Sequence, residues 1–390
     1  MQNNTFEIAS LIAVIIGVLL GVFLPEGAVY IAFLGKIFLA LLKMLILPII
    51  ILSLFLAVGK ISSAQNLKSI GFKTIGYYFS TSALAVMTGL IVANIFIFKE
   101  TAESIAIDKV NTEINLVERI FSTNIFNSLA EGEILHIVVF IILFSIAFTT
   151  LETAKRAPVI KVSESLFEVV MKLLEWILKL APIGILSLVW TTVSGFNADT
   201  FSSLTNFFIA TSIAITIHAC VTLPLVGRLV GKFNPIEYFW KVKQAVVVAF
   251  ATASSAATIP VSTKVVEASG ASKEVSRFVI PIGATLNMDG SALYQALLAM
   301  LFVVLSGTDI SLGGQFLIFV LILLSSAGTA GIPSGGIVMM TMVINTLGIE
   351  NPDYYLGLYI MVDRFWDYLT TAVNVWGDLI GAKTVDGLVK

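Results

Sequence analysis

Ser254-Ser255-Ala256-Ala257-Thr258-Ile259-Pro260 and Ser325-Ser326-Ala327-Gly328-Thr329-Ala330-Gly331-Ile332-Pro333 are two runs of small and hydroxyl residues, each closing on Ile-Pro. Both interrupt stretches that are otherwise apolar enough for lipid. Non-helical backbone at membrane depth leaves N–H and C=O groups without water, so it survives only where buried in protein or lining a polar cavity. Pro260 and Pro333 predict a helix break within a few residues of each run. Small residues alone would also suit close helix packing, but the prolines favour re-entrant hairpins. Two related interruptions predict one binding site between two repeats.

The rest of the composition agrees. The chain of 390 residues is 57% hydrophobic and only 12% charged, with a mean hydropathy of +0.98, which is too apolar for a soluble globule. Cys220 is the single cysteine, so an internal disulfide and multi-cysteine metal sites are excluded. His136 and His218 read as buried or interfacial structural histidines. The net charge of −2 says little about partners, and nucleic acid is not expected among them. Residues 8–24 follow no basic segment and precede Pro25-Glu26 rather than a small-residue cleavage site, so they read as a first membrane helix, not a secretory signal.

Stretches of roughly 20 apolar residues needed to cross a bilayer occur at 8–24, 29–59, 74–98, 129–151, 163–196, 206–230, 278–306 and 354–382. The interrupted stretches 244–263 and 314–346 are added as hairpins. The expected fold is an all-α polytopic membrane protein with eight transmembrane helices and two re-entrant hairpins, built as inverted repeats. Lys60, Lys68 and Lys73, then Lys155, Arg156 and Lys161, then Arg228, Lys232, Lys241 and Lys243 mark cytoplasmic loops by the positive-inside rule. Connections at 195–203, 307–314 and 350–353 hold no Lys or Arg and are expected outside. Residues 99–119 carry more acidic than basic residues, which suits the outside too. Both termini are then cytoplasmic. Short loops and no targeting segment suit a prokaryotic cytoplasmic membrane.

Ionisable groups inside membrane segments mark pathways or paired interior sites. Asn287-Met288-Asp289-Gly290-Ser291 and Gln295 lie in the penultimate span, and Asp363, Arg364, Asp367, Thr370, Thr371, Asn374 and Asp378 in the last. Positions 367, 371, 374 and 378 stack on one helix face. The result is an oxygen-rich stripe suited to a hard cation; without nearby histidine or cysteine, zinc and copper are disfavoured and sodium is expected. An interhelical hydrogen-bond network, an ion channel and an intramembrane aspartyl protease are the alternatives. A channel would pass current without saturable uptake. The protease reading fits poorly: Val375-Trp376-Gly377-Asp378 lacks the first glycine, and Met288-Asp289 lacks the tyrosine, of the paired motifs that such a dyad uses.

These residues resemble the glutamate transporter family, the dicarboxylate/amino acid:cation symporters. The resemblance runs from Lys43-Met44-Leu45-Ile46-Leu47-Pro48 through Ala181-Pro182-Ile183-Gly184 to the last helix. Its most specific parts are the two serine-rich hairpin tips together with Asn287-Met288-Asp289-Gly290 and Asn374-Val375-Trp376-Gly377-Asp378. It implies a transporter, not an enzyme: a homotrimer in the lipid bilayer whose scaffold holds transport domains that move substrate like elevators. Residues 1–73 would supply scaffold helices, 74–128 the third span and external loop on the transport side, 129–243 scaffold helices four and five with a transport-side helix six, and 244–390 the transport core. One sodium site would use Asn287, Asn374, Asp378 and the Gly283 carbonyl. A second would use carbonyls of Thr285, Ser326, Ala327 and Thr329. The third would join Asp289 to Tyr78, Thr81 and Ser82.

For the substrate, the resemblance implies Ser254, Ser255, Asn374 and Ser291 near an α-carboxylate, Asp367 on the α-ammonium with Thr371 beside it, and Ile332 and Gly336 in the gating second hairpin. Thr370 departs from the acidic-amino-acid members, which carry arginine there to pair the side-chain carboxylate in a fork. Ala253 and Tyr368 also stand where relatives often place another arginine. Arg364 reads as a partner for Asp363 or Asp367. Gln295 replaces the glutamate of proton-carrying animal members, so sodium symport is the simpler expectation. The expected activity is sodium-driven import of a neutral amino acid such as alanine, serine or threonine, with an aspartate/glutamate symporter as the alternative.

Overall fold

The computed structural model describes residues 2–59, 65–97, 121–308, 310–326 and 336–389. Among these the regular elements are all helical. In chain order they are α1 (Gln2–Phe23), α2 (Ala28–Gly59), α3 (Gln65–Phe96), α4 (Ile125–Glu131), α5 (Ile134–Thr149), α6 (Thr153–Leu178), α7 (Ala181–Val193) and α8 (Ala198–Ile217). A single π-turn, His218–Thr222, leads into α9 (Leu223–Leu229). Then come α10 (Pro235–Thr252), α11 (Ser255–Ala268), α12 (Lys273–Leu286), α13 (Asp289–Ser306), α14 (Leu312–Ser326), α15 (Gly336–Leu347) and α16 (Pro352–Val389).

Helical stretches Pro25–Leu56, Ser69–Phe96, Asp199–Leu229 and Lys273–Ser306 are long and apolar enough to cross a membrane, and Ala9–Phe23, His136–Thr149, Ala181–Val193 and Leu312–Leu324 are shorter apolar helices. The apolar window of Lys273–Ser306 is 83% buried, against 33–41% in the other three. That stretch is therefore the interior helix pair, while the others turn a face outward. On α1 the outward face is Leu11, Ile12, Ile15, Ile16, Leu19, Val22 and Phe23, a surface that only lipid or another apolar partner solvates well.

Two sets of contacts organise the helices. In the first, α1 and α2 pack on α7, and α2 also packs on α5 and α6. Small residues allow the approach: Gly17 and Gly21 lie against Val189 and Val193, and Gly184 against the Phe38 ring. In the second set, α16 is ringed by α3, α10, α11, α12, α13 and α15, and α13 also packs on α3 and α8. The two sets meet where α7 packs on α16, with Gly357 against Thr192, and where the Lys43 ammonium donates to Asp353 Oδ1 at 2.8 Å.

Several expectations need correction. The first interruption is mostly helical: the break is confined to Ala253 and Ser254, and Pro260 lies inside α11. Ala253 holds φ 45°, ending α10 in the left-handed region, and the Ser254 hydroxyl caps α11 by accepting from Ala257 N at 3.2 Å. The cap at the start of α11, not the proline, makes the turn. The stretch 163–196 is not one helix either, since α6 starts at Thr153 and the break at Lys179–Leu180 precedes Pro182. Lys155, Arg156 and Lys161 thus sit on a helix rather than in a loop. Arg156 is buried, donating to Gly59 O (3.1 Å) and Thr149 O (3.3 Å), where it closes the carbonyl ends of α2 and α5. The expected span 278–306 is broken at Asn287–Met288. The tip of the second interruption and the segment 99–119 lie outside the described residues.

Candidate substrate and cation site

The break between α12 and α13 is the centre of the site. An α-helix ends with unpaired carbonyls and begins with unpaired N–H groups, so a break at membrane depth presents both within a few residues. Here Asn287 closes α12, its N–H donating to Gly283 O at 2.9 Å. At the start of α13, Asn374 Oδ1 reaches across from α16 to accept from Gly290 N (2.8 Å) and Ser291 N (3.3 Å). Its Nδ2 donates to Ser291 Oγ at 3.0 Å and lies 3.4 Å from Met288 Sδ. Asn374 therefore caps a helix supplied by another element, and its amide oxygen is already aimed at the break.

The polar residues of α12, α13 and α16 meet those of α3. Asn287 Nδ2 donates to Asp378 Oδ1 at 3.0 Å, and Thr81 Oγ1 lies 3.2 Å from Asn287 Oδ1, where the hydroxyl donates. Ser82 Oγ donates to Asp289 Oδ1 at 2.7 Å. Asp289, Asn287, Asn374, Asp378, Thr81 and Ser82 are all buried. A buried carboxylate is costly unless paired and hydrogen-bonded; here the neighbours are hydroxyls, an amide and, at Asp289, the His218 imidazole, with no lysine or arginine among these contacts. A hard cation would supply the missing positive charge, and the carboxylate, amide and hydroxyl oxygens gathered here are the donor types that suit sodium.

Backbone approach completes the cluster. A side chain on Gly283 would strike Asp378 Oδ1 and the Tyr78 hydroxyl, and that hydroxyl donates to Val279 O at 2.9 Å. Gly377 lies against Asn287 Nδ2 and Asp289 Oδ2, and Gly290 against the Thr370 backbone. Tyr78, Thr81, Ser82, Gly283, Asn287, Asp289, Ser291, Thr370, Asn374 and Asp378 are thus brought together from four elements.

The remaining expected residues lie around this cluster. Ser254 spends its hydroxyl on the α11 cap, and Ser255 is buried beside it. Thr285 Oγ1 donates to Ile282 O (3.0 Å), Ser326 Oγ to Leu323 O (2.9 Å) and Thr370 Oγ1 to Asp367 O (3.2 Å). Thr371 is buried on α16 and Asp367 is half-buried. Gly336 starts α15 against the Tyr359 hydroxyl and Gln295 Nε2. Ala327, Thr329 and Ile332 lie outside the described residues. Two groups escaped the sequence reading. Tyr77, whose hydroxyl donates to Gly377 O at 3.3 Å, stood next to an expected ligand. His218 is fully buried with Nε2 3.5 Å from Asp289 Oδ2; its partner is 71 residues downstream, so no local spacing reveals it.

Comparison with known proteins places the whole chain in a family. The chain is 29% identical to the proton/glutamate-aspartate symporter of Escherichia coli (strain K12), over 99% of this chain and 93% of that one. It is 31% identical to the proton/sodium-glutamate symport protein of Geobacillus stearothermophilus, over 95% and 91%, and 28% identical to an excitatory amino acid transporter of Caenorhabditis elegans, over 99% and 88%. A family profile described as the sodium:dicarboxylate symporter family matches residues 6–388. The chain is a membrane symporter, not an enzyme, coupled to sodium, and it belongs to the sodium:dicarboxylate symporter family.

Proposed function

We propose that this symporter imports a neutral amino acid of the alanine, serine or threonine class, bound between the two hairpins and the broken α12–α13 pair. The observation that carries the reading is Thr370. It is buried on α16 against Gly290, one position before Thr371, and offers a single hydroxyl that already donates to Asp367 O. A substrate carboxylate lodged there would be buried without a cationic partner, a penalty of several kcal/mol. Arg364 is a poor substitute. It lines a small gap with Phe38, Ile185, Ile337, Ile360 and Asp363, about 9 Å along the axis from Thr370 at 1.5 Å per residue. Asp367 would receive the substrate ammonium, with Ser254, Ser255, Ser291, Thr371 and Asn374 around the carboxylate and Ile332 and Gly336 closing over it.

Sodium would bind at three places: at Asn287, Asn374, Asp378 and the Gly283 carbonyl; at carbonyls of Thr285, Ser326, Ala327 and Thr329; and at Asp289 with Tyr78, Thr81 and Ser82. Eight spans, two oppositely inserted hairpins, cytoplasmic termini and a homotrimer in a prokaryotic cytoplasmic membrane complete the reading. The helices α1, α2 and α5–α7 would form its scaffold, against which the α16-centred set moves as an elevator.

An acidic substrate is the second reading, favoured by the names of the Escherichia coli and Geobacillus relatives. Sodium-driven uptake into proteoliposomes, competed by a panel of unlabelled amino acids, separates the two. The neutral reading expects competition by alanine, serine or threonine. Strong competition by aspartate or glutamate and none by those three would overturn it. Thr370→Arg is expected to shift preference toward acidic substrates by at least tenfold in relative KM, as a new charge-assisted fork is worth over 1.4 kcal/mol.

A further inference from the structure

His218 sits in an odd place for a residue that merely fills space. Its side chain is fully buried, and its Nδ1 has no hydrogen-bond partner. Leaving such a nitrogen unsatisfied costs about 1–3 kcal/mol, which a phenylalanine or leucine of similar size would avoid. The backbone is unusual at the same point: the π-turn His218–Thr222 begins with this residue between α8 and α9, and single π-turns inside helices are frequent at functional sites. The turn is tied down, since the Trp376 indole N–H donates to Ala219 O at 3.0 Å. Trp376 is two residues before Asp378 on α16.

What histidine offers here is one N–H. Asp289 as a carboxylate is an acceptor only, so the facing Nε2 carries the proton and Nδ1 keeps its lone pair. Nε2 stands 3.5 Å from Asp289 Oδ2, while Ser82 Oγ holds Oδ1 at 2.7 Å. The carboxylate is therefore confined at both oxygens, by α3 on one side and by the π-turn on the other.

We infer that His218 is a positioning residue for a cation held by Asp289: its imidazole N–H fixes the carboxylate plane so that Asp289 presents its remaining lone pairs to sodium. The inference rests on the proposed role of Asp289 as a sodium ligand. Groups that orient a metal ligand in this way typically contribute about 10–100-fold to metal affinity.

The test uses the full-length protein with His218→Phe, which keeps the volume and removes the donor, and His218→Gln, which restores an N–H near the Nε2 position. Two quantities are read: the sodium concentration for half-maximal uptake at saturating amino acid, and the sodium-dependent rise in thermal unfolding temperature of detergent-purified protein. The second remains measurable if uptake is lost. His218→Phe is expected to raise the sodium requirement about tenfold in both readouts, with amino-acid KM at saturating sodium unchanged, and His218→Gln to recover most of it. Wild-type sodium dependence in His218→Phe, or a His218→Gln variant no better than His218→Phe, overturns the inference. Asp289→Asn separates the two layers. If it too leaves sodium dependence unchanged, the assignment of Asp289 has failed; if it shifts the dependence while His218→Phe does not, the histidine inference alone has failed.

Discussion

At Gly283, two requirements meet in one missing side chain. The residue is inside α12, where exchange for alanine ordinarily stabilises a helix by about 1 kcal/mol. Here the added carbon would strike Asp378 Oδ1 and the Tyr78 hydroxyl. Gly283→Ala is therefore expected to lower stability, by about 1–3 kcal/mol as overpacking does, and to weaken sodium-dependent stabilisation as Asp378 is displaced. Thermal unfolding with and without sodium measures both; an unchanged or raised unfolding temperature would remove Gly283 from the site. The polar members of the site were legible because charge is conspicuous in an apolar chain: Asn287, Asp289, Asn374 and Asp378 stand out from sequence alone, and they converge in space. Gly283 was reached only through resemblance, since nothing in its own neighbourhood marks it. His218 was legible only as a buried histidine, because the carboxylate it faces lies on another helix.

At the level of elements, the broken pair α12–α13 does what a continuous helix cannot. It turns backbone ends toward Asp378 and Asn374 while remaining in the interior of the bundle. The sequence marks the polar run at the break but not the break itself, as Asn287-Met288 has no proline or glycine inside it. The first hairpin shows the converse. Pro260 looks like the breaker and lies within α11, whereas the turn is made by Ala253 at positive φ and the Ser254 cap. Local signals announce a helix end reliably only when the cap is read along with the proline. Arg156 is a third case, a basic residue that charge patterning assigns to a loop and packing assigns to two helix ends. Its guanidinium satisfies carbonyls of Gly59 and Thr149, and bonds from a charged donor are worth about 1.5–3 kcal/mol each. Arg156→Ala is expected to lower stability by about 2–4 kcal/mol with sodium affinity unchanged, as measured by denaturation in detergent and sodium titration. A loss below 0.5 kcal/mol, roughly that of an ordinary surface change, would contradict the capping role.

On the scale of the whole molecule, the all-helical class and the existence of a central polar cluster follow from composition and the placement of polar residues, whereas the number and bounds of the helices differ from the expected spans. The grouping of helices does not follow from composition either. Nothing in the order of the chain says that α3 and α8 join α10–α16 around the site while α1, α2, α5, α6 and α7 pack together; that depends on which small residues meet which bulky ones, as at Gly184 and Phe38. Lys43 and Asp353 then span the two groups near the start of α16. Beyond packing, the cluster of Asp289 and Asp378 has an electrical meaning. Asp289 and Asp378 are both buried with no lysine or arginine among the contacts described above, so sodium bound at the proposed sites would carry its charge into the interior of the bilayer. Displacing one elementary charge across the full membrane is worth about 2.3 kcal/mol per 100 mV, so sodium entry into the proposed site would itself be sensitive to membrane potential. A rapid sodium jump on protein reconstituted in a planar membrane, without amino acid, is expected to give a transient current that Asp289→Asn reduces. Absence of any sodium-evoked charge movement in the wild type would place the ion outside the field. With sodium at the proposed site, the broken helix would make the transporter sensitive to voltage even before it meets its substrate.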